Sequence, residues 1–136
     1  MKLVPDANVL FSALIKSGLT RRIWFAPEVQ LVAPRHLTVE FSKYEEELRQ
    51  KYSGSDEDFD RLVFCLLNPL KWVPDDDLRA YLPAAASLST DSKDWLYLAC
   101  ALKENASIWT HDHHYDDQRR INVFSTKTLA ETMGLL

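Results

Sequence analysis

The stretch LVPDANVL, residues 3–10, runs a short apolar segment straight into a carboxylate at Asp6 and follows it with an amide at Asn8. With Lys2, the apolar pair Leu3 and Val4 reads as a first strand, although Pro5 is unexpected there because a proline cannot donate to a central ladder. Residues 8–25 then place Leu10, Leu14, Ile23 and Trp24 at helical spacing, with Gly18 as a break or kink. The run VQLVAP at 29–34 has the length and composition of a second strand. A strand, a helix and a strand in that order make a β-α-β unit, whose strands lie parallel with helices covering the sheet. In such sheets ligands bind just beyond the carboxyl ends of the strands, near the place where strand order reverses. Asp6 is expected at that edge.

The same alternation continues outward. Pro34 stops the second run, and residues 35–52 follow with Leu37, Phe41, Tyr44 and Leu48 on one helical stripe. SGS at 53–55 is a turn, Ser55 caps a helix carrying Phe59, Leu62, Val63 and Leu66, and Asn68 with Pro69 ends it. LKWVP at 70–74 is a strand candidate, residues 75–82 a short helix before Pro83, and DSKDWLYLACALKEN at 91–105 a longer one. ASIWT at 106–110 and INVFS at 121–125 are the last strands, followed by a helix from Thr126 to about Met133. No repeat, low-complexity tract or linker interrupts the pattern. The expected fold is α/β, a three-layer α/β/α arrangement with a central, mostly parallel sheet of about five strands, in a single domain over residues 1–136.

At 136 residues such a domain buries roughly two-thirds of the surface its unfolded chain exposes, so no disulfide or metal staple is required. Cys65 and Cys100 lie in apolar stretches and read as buried, reduced thiols. No apolar run approaches the roughly 20 residues of a membrane helix, and no signal-peptide pattern opens the chain, so the protein is expected to be cytoplasmic. A net charge of −4 argues against a nucleic-acid coat protein but not against a nuclease whose ions offset clustered carboxylates.

Carboxylates recur where the fold places its functional edge. Thr110 closes the SIWT strand and Asp112 follows, which repeats the geometry of Asp6. Glu40 borders the Leu37–Leu48 stripe at about 100° per residue, Glu47 has a similar offset, and Glu46 points away, so the pattern does not separate Glu40 from Glu47. Asp91 and Asp94 share a face in the first turn of their helix. Ordinary readings stand beside these. Asp6 is also a turn former, Asp91 and Asp94 also suit a helix N-terminus, and Glu40 also suits a solvated helix face. HDHH at 111–114 does not put its histidines on one face. DEDFD at 56–60 copies the start of a calcium loop, but Arg61 stands where Gly is required and Leu67 at the twelfth position. Trp24, Trp72, Trp95 and Trp109 fall in apolar periods and read as core.

Taken together, DAN at 6–8, LTVEF at 37–41, DWLYLACAL at 94–102 and WTHDHHY at 109–115 resemble the PIN domain, a small metal-dependent nuclease fold that includes ribonuclease toxins of toxin-antitoxin pairs. The resemblance runs through nearly the whole chain and rests on the order and spacing of four motifs, none specific alone. It implies Asp6, Glu40, Asp94 and Asp112 as the catalytic acids, with Ala99 and Ala101 in the positions the family pattern gives small residues after Asp94. Asn8 and Thr110 match the polar residues that flank the first and fourth acids.

The implied chemistry suits these residue types. Phosphodiester hydrolysis needs an activated water and stabilisation of phosphoryl charge, which Mg²⁺ or Mn²⁺ supplies and oxygen ligands hold. Asp6, Asp94 and Asp112 are the expected metal ligands, Glu40 a metal or water-orienting group, and Asn8, Thr110 and Asp91 supporting residues around them. Arg35, Arg119 and Arg120 are candidates for RNA phosphate contacts. Single-stranded or looped RNA, an antitoxin protein and a homodimer are the expected partners. Two other readings stay open: a catalytically weak PIN-like scaffold that binds RNA or protein, and an acidic α/β phosphoryl-transfer domain. Against the latter, KWVP ends in no Asp as a receiver would need, and Asn8 stands where a dehalogenase-type phosphatase would carry Asp.

Overall fold

The strand that opens the chain becomes the centre of the sheet. In the computed structural model, which spans residues 1–136 and describes all but 113, 114 and 116, β1 (Lys2–Pro5) lies between β2 (Gln30–Pro34) and β4 (Ser107–Trp109). β3 (Lys71–Val73) and β5 (Val123–Phe124) form the edges, in the order β3-β2-β1-β4-β5, and every pairing is parallel. Leu3 and Val4 are fully buried, as a strand covered on both faces requires.

Pro5 fits because its missing donor falls where pairing has already stopped. Gln30 N–H donates to the Met1 carbonyl on the β2 side, and Asp6 N–H donates to the Trp109 carbonyl at 3.0 Å on the β4 side. Alternation along a parallel ladder therefore turns residue 5 toward β2, where the register ends at Leu3↔Leu31, while pairing with β4 continues to Pro5↔Trp109.

Helices α1 (Ala7–Ile15), α2 (Leu19–Trp24), α3 (His36–Lys51), α4 (Asp56–Leu67) and α8 (Thr126–Thr132) form one packed set. The other set is α5 (Asp75–Leu78), α6 (Leu82–Leu88) and α7 (Trp95–Glu104), with α7 lying over β2, β1 and β4. The result is the expected three-layer α/β/α fold. Gly18 divides α1 from α2, and the Arg21 guanidinium bridges that break by donating to the Ala13 carbonyl at 2.8 and 3.0 Å. Trp24 and Trp109 are buried, whereas Trp72 and Trp95 are only partly covered. Ser55 caps α4, accepting from Asp58 N–H at 3.1 Å.

Two expectations need correction. Pro83 does not end a helix over 75–82; α5 stops at Leu78, a 3₁₀ turn covers Arg79–Tyr81, and Pro83 sits in the first turn of α6. A proline is accommodated there because first-turn N–H groups have no partner inside the helix. Cys65 is exposed, and only Cys100 is buried. α4 buries Phe59 and Leu66 on one stripe, which leaves Phe64 and Cys65 on the other face of an apolar run broader than its contact surface.

Candidate active site

Asp6 is the first residue after β1 and the N-cap of α1. Its Oδ1 accepts from Val9 N–H at 3.2 Å. β4 lies beside β1, so Thr110, one residue beyond β4, reaches the same carboxylate, and its hydroxyl donates to Asp6 Oδ2. Asp112 N–H in turn donates to Thr110 Oγ1 at 3.0 Å. Strand order reverses between β1 and β4: β2 and β3 build outward on one side, β4 and β5 on the other. The cluster thus stands at the switch point where open α/β sheets bind ligands.

Two helices bring further acids to this edge. Glu40 projects from the second turn of α3, where Tyr97 OH of α7 donates to its Oε1 and His36 Nε2 lies 3.5 Å from the same oxygen. Asp94, which ends the 3₁₀ turn Ser92–Asp94 before α7, is buried; Ser89 Oγ donates to its Oδ2 at 2.9 Å and Tyr115 OH to its Oδ1 at 3.1 Å. Asp6, Glu40, Asp94 and Asp112 all line one pocket of about 180 Å³. Glu47 is exposed and lies outside it.

The supporting residues occupy varied places. Asn8 is exposed at the rim, and its backbone N–H, with that of Val9, favours the Asp6 carboxylate. Asp91 lines the pocket and also caps the turn before α7, accepting from Lys93 N–H at 3.0 Å. Arg119 and Arg120 line a larger cavity of about 840 Å³ that meets the acidic pocket at Asp91. Arg35 is apart from both, its guanidinium 5.5 Å from the centre of the Trp72 ring. His111 Nε2 is 2.8 Å from Thr126 Oγ1, while His113 and His114 lie outside the described residues.

Sequence reasoning passed over four residues of this site: Tyr97, Tyr115, Ser89 and Lys93. Tyr97 stands three residues after Asp94, a spacing that shares a helix face, but within an apolar period it reads as core.

Burial pushes the Asp6 carboxyl above its ordinary value, opposed by the Thr110 hydrogen bond, the Val9 N–H, the His111 charge and the Asn8 N–H. Burial likewise raises both phenols, reinforced by Glu40 at Tyr97 and by Asp94 at Tyr115, so both remain protonated donors at neutral pH. Among the described residues, no group of three or more His, Cys, Asp or Glu side chains is arranged to hold an ion. Oxygen donors around a small pocket nevertheless suit a hard cation that keeps several waters and takes one or two direct carboxylates. They do not suit a tetrahedral Cys/His zinc site.

The PIN domain family matches residues 4–117 of the chain. A similar solved structure is the crystal structure of VapBC2 from Rickettsia felis bound to a DNA fragment from their promoter, with a TM-score of 0.68 and 14% sequence identity. That alignment covers 92% of this chain and 98% of the other, a likeness of fold. No curated protein matches.

Proposed function

The chain belongs to the PIN domain family, and from that membership we propose that it is a Mg²⁺- or Mn²⁺-dependent endoribonuclease that hydrolyses phosphodiester bonds of single-stranded or looped RNA. The observation that carries this reading is the single pocket lined by Asp6, Glu40, Asp94 and Asp112, which come from separate parts of the chain. A bound divalent ion supplies charge neutralisation at the phosphoryl oxygens and makes water a better nucleophile. Asp6, Asp94 and Asp112 would hold such an ion, directly or through water. Glu40 orients the attacking water and takes up its proton. Thr110 orients Asp6, Tyr97 orients Glu40, and Ser89 with Tyr115 orients Asp94, so these three carboxylates present fixed faces. Arg119 and Arg120 offer phosphate contacts in the adjoining cavity. The fold likeness to VapBC2 supports a toxin held by an antitoxin, and the proposal extends to a homodimer in the cytoplasm; among the described residues no helix is long and apolar enough to cross a membrane.

The test is incubation of mixed RNA with Mn²⁺ or Mg²⁺, with and without EDTA, beside Asp6→Asn. Cleavage that needs the ion and falls by about 100-fold or more in Asp6→Asn is expected. Equal cleavage by both proteins, or cleavage in EDTA, overturns the reading. The runner-up reading is a PIN domain that binds RNA or protein without turnover. RNA binding with no cleavage under either ion supports that alternative.

A further inference from the structure

The acidic pocket opens on a second side as well. At Glu40 and Lys93 it meets a cavity of about 320 Å³ whose lining includes Lys43, Tyr44 and Leu96. Apart from Glu40, which lines both, this cavity has no acidic residue and carries Lys43 beside the shared Lys93. Lys43 and Lys93 are both exposed, and among the described residues neither ammonium group is held in an ion pair. Tyr44 is 45% exposed, yet its ring is steadied by an edge-on contact with the Phe11 ring at 5.5 Å between centroids.

Two exposed cations beside a cluster of carboxylates in a chain of net charge −4 provide local attraction for a polyanion that the pocket alone would repel. A steadied, solvent-facing aromatic among them adds a surface on which any base can stack, and that pairing of cations with an aromatic platform is how single strands are held. Resting on the ribonuclease reading above, we infer that the Lys43–Tyr44–Lys93 cavity is a nucleotide subsite, taking a phosphate and a base of single-stranded RNA next to the bond held in the acidic pocket. With Arg119 and Arg120 lining the cavity that joins the pocket at Asp91, the strand has binding ground on both sides of the acids. It runs through the site rather than ending in it, which is the arrangement an endonuclease needs.

The experiment is anisotropy of a short fluorescein-labelled single-stranded RNA, in EDTA so that binding is read without cleavage, over a series of salt concentrations. Lys43→Gln and Lys93→Gln should each lower the slope of log K against log salt by about 0.7. Tyr44→Leu, which keeps an apolar contact for Phe11, should weaken binding by about 5-fold or more, and Tyr44→Phe should restore it. Wild-type affinity and slope in all the variants, or a wild-type protein that does not bind this RNA, overturns the subsite. Weakening by the lysine changes with no effect of Tyr44→Leu also overturns it, since that pattern marks a charge-only surface of the kind an acidic peptide would use. Metal-dependent cleavage by the wild type with variant-insensitive binding sinks the subsite alone. Variant-sensitive binding with no cleavage sinks the ribonuclease reading and leaves the subsite standing.

Discussion

Asp6 caps α1 through Oδ1 and takes the Thr110 hydroxyl on Oδ2, yet burial still holds its carboxyl above the ordinary value of 3.8. A carboxyl whose pKa is raised on folding destabilises the folded chain wherever it is ionised, and the penalty is relieved as pH falls through the folded-state value. At neutral pH without metal, Asp6 therefore costs stability. Asparagine keeps a carbonyl oxygen for the Val9 N–H and is an equally good N-cap. Asp6→Asn is expected to melt at the same temperature as the wild type or higher in EDTA, while added Mg²⁺ raises the melting temperature of the wild type more than that of the variant. A variant that melts lower in EDTA would make Asp6 an ordinary capping residue, and equal shifts with Mg²⁺ would remove it from the ion's ligands. The carboxylates were legible in sequence because acids leaving strand ends break an apolar pattern. The hydroxyls of Tyr97 and Tyr115 were not, because a tyrosine in an apolar period looks the same whether its OH meets a carboxylate or water.

Among the elements, periodicity recovered the helices better than their ends. α3 and α4 lie close to their expected bounds: Pro34 precedes α3, Ser55 caps α4, and Asn68 follows it. Between Asp75 and Leu88 the same reasoning failed, since a proline inside a run of good helix formers was read as a stop. Its place in α6 makes it a start, and the two readings predict opposite effects of Pro83→Ala. In a first turn the ring removes no helical hydrogen bond and reduces the freedom of the unfolded chain, so its loss should lower stability by about 0.4–1 kcal/mol. A proline that breaks a helix should instead give way to a more stable alanine variant. Urea denaturation of the two proteins decides between them. The exposure of Cys65 has a similar origin: an apolar run gives hydrophobicity, but the width of the stripe that a neighbour covers belongs to the packing.

Across the whole molecule, charge is arranged differently at the two ends of α7. At its start Asp94 is held by hydroxyls, while at its end Glu104 is buried among Lys71 at 2.9 Å, Lys103 at 3.2 Å and Lys2 at 3.8 Å, which tie the first residues of β1 and β3 to the helix. The Lys71 hydrogen bond, working against the cost of burial and aided by the Lys103 hydrogen bond and the charges of both lysines, holds Glu104 below its ordinary 4.5. A depressed carboxyl stabilises the fold fully above its unfolded value and loses that contribution as pH falls through the folded one. Glu104→Gln should therefore lower stability by about 1–2 kcal/mol at neutral pH and flatten the loss of stability of the wild type below pH 4.5, read from melting temperature against pH. Parallel strands were legible from strand–helix alternation, but the order β3-β2-β1-β4-β5 was not, because no local pattern states which strand joins which edge. That order puts β4 against β1 and so sets Thr110 and Asp112 beside Asp6, the juxtaposition on which the type of reaction depends. On the proposed ribonuclease reading, water attack at that acidic centre would displace the 3′ oxygen and leave 5′-phosphate and 3′-hydroxyl ends. Attack by the RNA's own 2′-hydroxyl would leave a 2′,3′-cyclic phosphate and a 5′-hydroxyl, and would need an acid/base pair such as two histidines. Among the described residues, His36 lies against Glu40 and His111 against Thr126, so these two are not set opposite each other across the pocket. End-group analysis of cleaved RNA should accordingly give 5′-phosphates, EDTA should stop the reaction, and a 2′-deoxy residue at the cut site should leave the chemical step intact. Cyclic phosphate ends with EDTA-resistant cutting would transfer the reaction from the four carboxylates to the histidines.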